Sequence, residues 1–165
     1  MVRVTSVPQV SLLQSPAMPH TCVNTLHHCV FSTKERRKII SPDLRARLWA
    51  YLGGIARQNK MHALGVGGAD DHVHILLQMP ALMSIAKAMQ LIKGGSSKWA
   101  HENGFVDFAW QAGYGAFTIG ASQKAATLGY ISNQAKHHKK YTFQQEFLAF
   151  LKKNGIEVDL RYIWD

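Results

Sequence analysis

The chain has 165 residues, 47% hydrophobic and 18% charged, which excludes a disordered chain and suits one domain with a real core. No apolar run approaches the length of a bilayer span, so no membrane partner is expected. Lys and Arg number 19 against 10 Asp and Glu, and the resulting charge of +9 favours a polyanion such as nucleic acid over an inert basic surface.

Residues 1–19 hold Pro8, Pro16 and Pro19 and no continuous apolar segment, so they read as a loose tail rather than a secretory leader. The domain proper is expected to span 20–165. Cys22 and Cys29 are the only cysteines, and their spacing does not suggest a metal site. Without a leader, two reduced, mostly buried thiols in a cytoplasmic protein are expected. Residues 20–33, "HTCVNTLHHCVFST", are rich in Thr, Val and aromatics and predict a strand, followed by the basic loop "KERRKII". Ser41 as N-cap and Pro42 at the first helical position open a helix to about Asn59, with Leu44, Leu48, Tyr51, Leu52 and Ile55 recurring at helical spacing.

"MHALGVGG" and "HVHILLQM" predict two further strands, joined as an antiparallel hairpin by a turn over 67–70. Ser84 opens a second helix to about Glu102, weakened in its middle by Gly94-Gly95. "FAWQAGYGAFTIG", 108–120, predicts a fourth strand. Ser122 is expected to cap a third helix running to about His138, and a last helix ends at Gly155. The order β-α-β-β-α-β followed by two helices is the ferredoxin-like pattern: an α+β domain whose antiparallel sheet carries helices on one face, plus C-terminal helices.

Within "DDHVHILLQ", residues 70–78, alternation along a strand puts His72 and His74 on one face and Val73 and Ile75 on the other. Two neighbouring imidazoles suit a shared divalent cation but are too few for a closed structural site. Asp71 is a candidate supporting partner or further ligand. With nine histidines in the chain, such a pair also arises by chance on a solvated sheet face. The third helix carries the candidates that complete the site. Tyr130 and Gln134, four apart, share a helical face. A Gln carbonyl oxygen can meet a cation, and a Tyr phenolate is a competent nucleophile. Lys136 and His137 are close enough to meet a phosphate. The plainer reading is an amphipathic helix with Tyr130 half buried and Gln134 exposed.

Taken together, the pieces resemble the single-tyrosine HUH transposases of bacterial insertion sequences, the IS200-like family. The His-hydrophobe-His motif is His72, Val73, His74. "YISNQ", 130–134, matches that family's tyrosine helix and is followed by "HH". "KGGSSKW", 93–99, and "WQAGYGAFTIG", 110–120, match further family stretches in order, so the resemblance covers about 20–163. It implies a ferredoxin-like fold and an obligate homodimer, in which the tyrosine helix of one chain can complete the histidine site of the other. It implies magnesium or manganese held by His72, His74 and Gln134, with Tyr130 as the nucleophile. The implied activity is cleavage and rejoining of single-stranded DNA through a 5′-phosphotyrosine link, on strands bearing hairpins at the element ends. Arg36, Arg37, Lys38, Lys93 and Lys98 are candidates for contacting backbone phosphates, together with Lys136 and His137.

Three other readings stand beside this one. A domesticated, repeat-associated tyrosine transposase is the nearest of them, although "WQAGYGAF" fits the mobile type better. A non-enzymatic nucleic-acid-binding ferredoxin-like domain would explain charge and fold but leave Tyr130, Gln134 and the His pair without a role. A metal-dependent phosphodiesterase using water would not need Tyr130.

Overall fold

A computed structural model describes residues 22–138, 140–161 and 163–164; the expected tail over 1–19 and the residue Tyr162 lie outside them. Four antiparallel strands, β1 (Thr25–Ser32), β2 (His62–Gly68), β3 (His72–Met79) and β4 (Gly115–Thr118), form one sheet in the order β2-β3-β1-β4. This is the ferredoxin-like order, with every adjacent pair of strands antiparallel.

Strand alternation divides the sheet into two faces with different tasks. Cys29 and Phe31 of β1 and Val73, Ile75 and Leu77 of β3 point into the main core. Against them pack α1 (Pro42–Gln58) and α2 (Ile85–Glu102). Both helices begin as their sequences dictate. Ser41 Oγ accepts the Leu44 N–H at 3.3 Å, with Pro42 at the first position, and Ser84 Oγ accepts the Lys87 N–H at 3.2 Å. Of the expected stripe, Leu44, Leu48, Leu52 and Ile55 are buried, facing Ala88, Met89 and Ile92 of α2, whereas Tyr51 is exposed and stacks on Trp99. The Gly94-Gly95 pair does not interrupt α2. A Cβ at Gly95 would meet Ile55 Cδ1 at 3.0 Å, so the glycine brings the two helices together.

The opposite face carries Leu26, His28 and Val30 of β1 and His72, His74 and Leu76 of β3; the register pairs Val30 with His74 and His28 with Leu76. Three C-terminal helices cover it: α3 (Lys124–Ser132), α4 (Gln134–His137) and α5 (Phe143–Lys153). Thr142 and Gln145 start α5 with reciprocal bonds, Gln145 N–H to Thr142 Oγ1 and Thr142 N–H to Gln145 Oε1.

Four sequence expectations need correction. The first strand begins at Thr25 rather than residue 20. The fourth strand is short, Gly115–Thr118, with only an isolated bridge between Thr33 and Trp110 before it. The carbonyls of Gln111, Ala112 and Gly113 turn instead onto the Lys93 ammonium, at 2.6, 2.7 and 2.9 Å. The third helix is not continuous from Ser122 to His138, and Ser122 does not cap it: a 3-10 turn over Ala121–Gln123 precedes α3, with Gln123 Oε1 accepting the Gly120 N–H at 2.9 Å. The helix breaks at Asn133, whose side-chain amide takes the Gly129 carbonyl at 2.8 Å in competition with the backbone. Finally, Cys29 is buried but Cys22 is exposed.

Candidate metal and nucleophile site

The site lies on the C-terminal face of the sheet, under α4 and α5. His72 and His74 are both 0% exposed, with ring centroids 5.1 Å apart. Each ring is held by its Nδ1. His72 Nδ1 lies 2.6 Å from Asp71 Oδ1, and His74 Nδ1 lies 3.0 Å from Nε2 of His28 on the neighbouring strand. Burial raises the Asp71 carboxyl, but the hydrogen bond to His72 and the nearby basic groups outweigh it, and the acid is lowered overall. Burial takes His28 down to about 4, and burial with the surrounding imidazoles takes His74 well below the usual range. Neutral rings are the state a metal requires of its ligands. With Nδ1 of both rings occupied, both Nε2 atoms face the same interior point.

At that point sits the carboxylate of Glu146 from the first turn of α5. Its Oε2 is 3.3 Å from His74 Nε2, 3.8 Å from His72 Nε2 and 3.2 Å from His138 Nε2. Its Oε1 accepts the Gln134 Nε2–H at 3.0 Å and lies 3.6 Å from His137 Nε2. Burial, then the charge of Asp71, raises Glu146 to about 8; burial foremost lowers His138 to about 4. Three buried atoms around this carboxylate, His72 Nε2, His138 Nε2 and Gln134 Oε1, have no hydrogen-bond partner. Leaving a buried polar atom unsatisfied costs about 1–3 kcal/mol, so a group of them marks a place built for a ligand. Ligand atoms of His72, His74, His138 and Glu146 lie within 4.8 Å of one another. Two or three imidazole nitrogens with amide and carboxylate oxygens suit a divalent transition ion or a harder dication.

Tyr130, at the end of α3, edges onto this cluster. Its half-buried ring is 5.7 Å from His74 and 5.3 Å from His137, centroid to centroid. It borders a cavity of about 540 Å³ whose walls include His137, Tyr141, Glu146 and Phe150. The register of α3 on the sheet depends on β2, where a Cβ at Gly65 would meet Leu128 Cδ2 at 2.7 Å and one at Gly67 would run into the Ile131 carbonyl. Glycine at both positions lets the tyrosine-bearing helix lie directly on the strand.

The structure thus brings His72, His74, Asp71, Gln134 and Tyr130 together. Gln134 is 1% exposed rather than on an open helix face, because the break at Asn133 turns it inward. Of the candidate phosphate contacts, Arg37 and Lys136 are exposed. Arg36 packs over the Trp164 ring at 5.3 Å, Lys38 is 3.7 Å from Asp70, and Lys98 is 3.8 Å from Glu102. Lys93 is half-buried, its ammonium engaged by the three carbonyls already described. Burial lowers it to about 8, so it remains mostly charged at neutral pH.

Sequence reasoning missed His28, His138 and Glu146. A signal for Glu146 existed: Phe143, Glu146, Phe147 and Phe150 fall at i, i+3, i+4 and i+7, placing a lone acid on the apolar stripe of a helix.

The profile of the family described as "Transposase IS200 like" matches residues 21–134, more than half of the chain. The chain belongs to the IS200-like transposase family. Two curated relatives, the transposases for insertion sequence element IS200 of Salmonella typhimurium and Salmonella typhi, are each 29% identical over 130 residues, covering 74% of this chain and 85% of each relative. Among solved structures, a candidate transposase from Deinococcus radiodurans superposes with a TM-score of 0.60 at 21% identity, covering 73% of this chain and 98% of that one. A REP-associated tyrosine transposase bound to a REP hairpin superposes with a TM-score of 0.56 at 14% identity, covering 76% and 74%. The two superpositions concern the fold. The matched family stretch contains His72, His74 and Tyr130 and ends on Gln134; His138 and Glu146 lie beyond it. No helix among the described residues is long and apolar enough to cross a membrane.

Proposed function

We propose that this IS200-like transposase is a cytoplasmic, metal-dependent enzyme that cleaves and rejoins single-stranded DNA at insertion-sequence ends through a 5′-phosphotyrosine link. The observation that carries the reading is the Tyr130 ring, 5.7 Å from His74 and beside a buried cluster in which His72 Nε2 and Gln134 Oε1 have no hydrogen-bond partner. His72 Nε2, His74 Nε2 and Gln134 Oε1 would hold magnesium or manganese, which when bound polarises the phosphate and stabilises charge on the leaving oxygen.

The chain's own residues do the rest. Asp71 and His28 hold the two rings with Nε2 facing inward. Tyr130 supplies the attacking phenol oxygen: its bond to phosphorus forms as the bond to the 3′ oxygen breaks, releasing a free 3′-OH and storing the phosphoester on the protein. Attack by another strand's 3′-OH reverses the step and restores the phenol, so rejoining needs no ATP. Exposed Arg37 and Lys136, with Arg36 and Lys98, would position the DNA backbone without reading sequence. The chain is expected to act as a homodimer on strands carrying terminal hairpins; the likeness to a fold solved with a hairpin bound supports that class of partner.

Incubation with single-stranded DNA carrying an element's ends, followed by a denaturing gel, tests the reading. A covalent protein–DNA adduct dependent on divalent metal is expected, with little product from fully paired duplex. Metal-independent cutting without an adduct would overturn it.

A further inference from the structure

The site as read so far uses two imidazoles and one amide, all within or beside the stretch matched by the family. The group at its centre is none of these. Glu146 is 5% exposed and reaches the site from α5, twelve residues past Gln134 in sequence. We propose that Glu146 is itself a ligand of the metal, joining His72, His74 and Gln134, and that its second oxygen sets the orientation of the Gln134 amide. This rests on the reading of the site as a metal centre.

Two observations carry it. The first is spacing. An octahedral ion with ligands at about 2.1 Å holds adjacent ligand atoms about 3.0 Å apart and opposite ones about 4.2 Å apart. Glu146 Oε2 stands 3.3 Å from His74 Nε2 and 3.8 Å from His72 Nε2. Both separations fall between the adjacent and the opposite spacing, and closing them to adjacent positions takes shifts of about 0.3 and 0.8 Å. The second is the division of labour between the carboxylate oxygens. Oε1 accepts the Gln134 Nε2–H at 3.0 Å, which holds the amide so that its carbonyl oxygen is the unpartnered atom. Glu146 therefore presents Gln134 as an oxygen ligand while its Oε2 stays among the imidazole nitrogens, against His74 and His138.

The carboxylate changes the chemistry of the site. His72, His74 and Gln134 bring no charge to a dication; Glu146 brings one negative charge and a hard oxygen, which shifts preference towards manganese and magnesium. With these four side chains as its protein ligands, a hexacoordinate dication would still have room to polarise the phosphate.

The test is manganese binding to the purified protein without DNA, by isothermal titration and by the loss of the free Mn²⁺ EPR signal, alongside the metal-induced rise in Tm. Glu146→Gln keeps the shape and a donor for the imidazoles and should weaken manganese at least about tenfold, shrinking the rise in Tm. Glu146→Asp covers the case in which Gln fails to fold, and should also bind more weakly. Affinity unchanged in folded Glu146→Gln and Glu146→Asp, while His72→Ala abolishes binding, would overturn the ligand role and leave the metal centre standing. Wild-type protein that binds neither manganese nor magnesium would overturn both.

Discussion

His28 Nε2 lies 3.0 Å from His74 Nδ1, joining two neutral imidazoles across adjacent strands. The pairing has a direction. If His74 offers the Nε2 lone pair, its proton sits on Nδ1 and is donated to His28, which must then carry its own proton on Nδ1. An imidazole thus does what a carboxylate does more often, holding a ligating ring in one tautomer. His28→Leu should leave the fold intact and weaken manganese about 10- to 100-fold by titration. Affinity unchanged in the variant would show that His74 needs no such partner.

Tyr130→Phe separates the enzymatic readings. The ring contacts to His74, His28 and Phe150 survive in Phe, so fold, metal binding and hairpin binding should be retained. Cleavage and the covalent adduct should both vanish. A water-using phosphodiesterase would still cut, and an adduct formed by the variant would place the nucleophile elsewhere.

Gly67→Ala tests the seat of α3. The added methyl runs into the Ile131 carbonyl, which is backbone and cannot rotate away. Overpacking of this kind costs about 1–3 kcal/mol, measurable by chemical denaturation. Because Tyr130 precedes Ile131, adduct formation should fall further than the stability loss accounts for. A stable variant with full adduct yield would show that the helix position is not critical.

Lys93→Met addresses whether this lysine serves the fold or the DNA. Its N–H donors tie α2 to the 111–113 segment, and losing them should cost about 1–3 kcal/mol. The salt dependence of single-strand binding should stay unchanged. Lys136→Ala, at an exposed position, should lower that slope by about one phosphate contact. A reduced slope in Lys93→Met would assign it to the DNA.

The two thiols should differ sharply in reactivity. Cys22 is exposed, whereas burial pushes the Cys29 thiol up to about 12. Native protein should release one equivalent with a disulfide reagent, and denatured protein two. Two rapid equivalents from native protein would contradict the packing of β1.

The first two helices were legible because Ser41, Pro42 and Ser84 are local signals that act on the nearest turn. The grouping of His72 and His74 followed from period-two alternation alone. What escaped the sequence depends on packing at a distance. The shortening of β4 comes from Lys93, on another element, drawing three carbonyls out of the ladder. The break at Asn133, which turns Gln134 inward, is a competition between side chain and backbone that helical periodicity does not register. His28 and Glu146 reach the site only because β1 pairs with β3 and α5 folds across them.

The alternation on β3 gives neighbouring codons opposite meanings. Val73, Ile75 and Leu77 are packed between sheet and helices, and truncating any of them opens a cavity worth about 2–5 kcal/mol. His72 and His74 are as fully enclosed, yet an apolar residue of similar volume there keeps the contacts with Phe143 and Phe150 and gives up only a polar group. A library scored for how much protein accumulates should therefore discard variants at 73, 75 and 77 and keep many at 72 and 74. The same library scored for mobilising DNA should reject both sets, so the difference between the two scores, residue by residue, would trace the chemistry of this strand against its architecture.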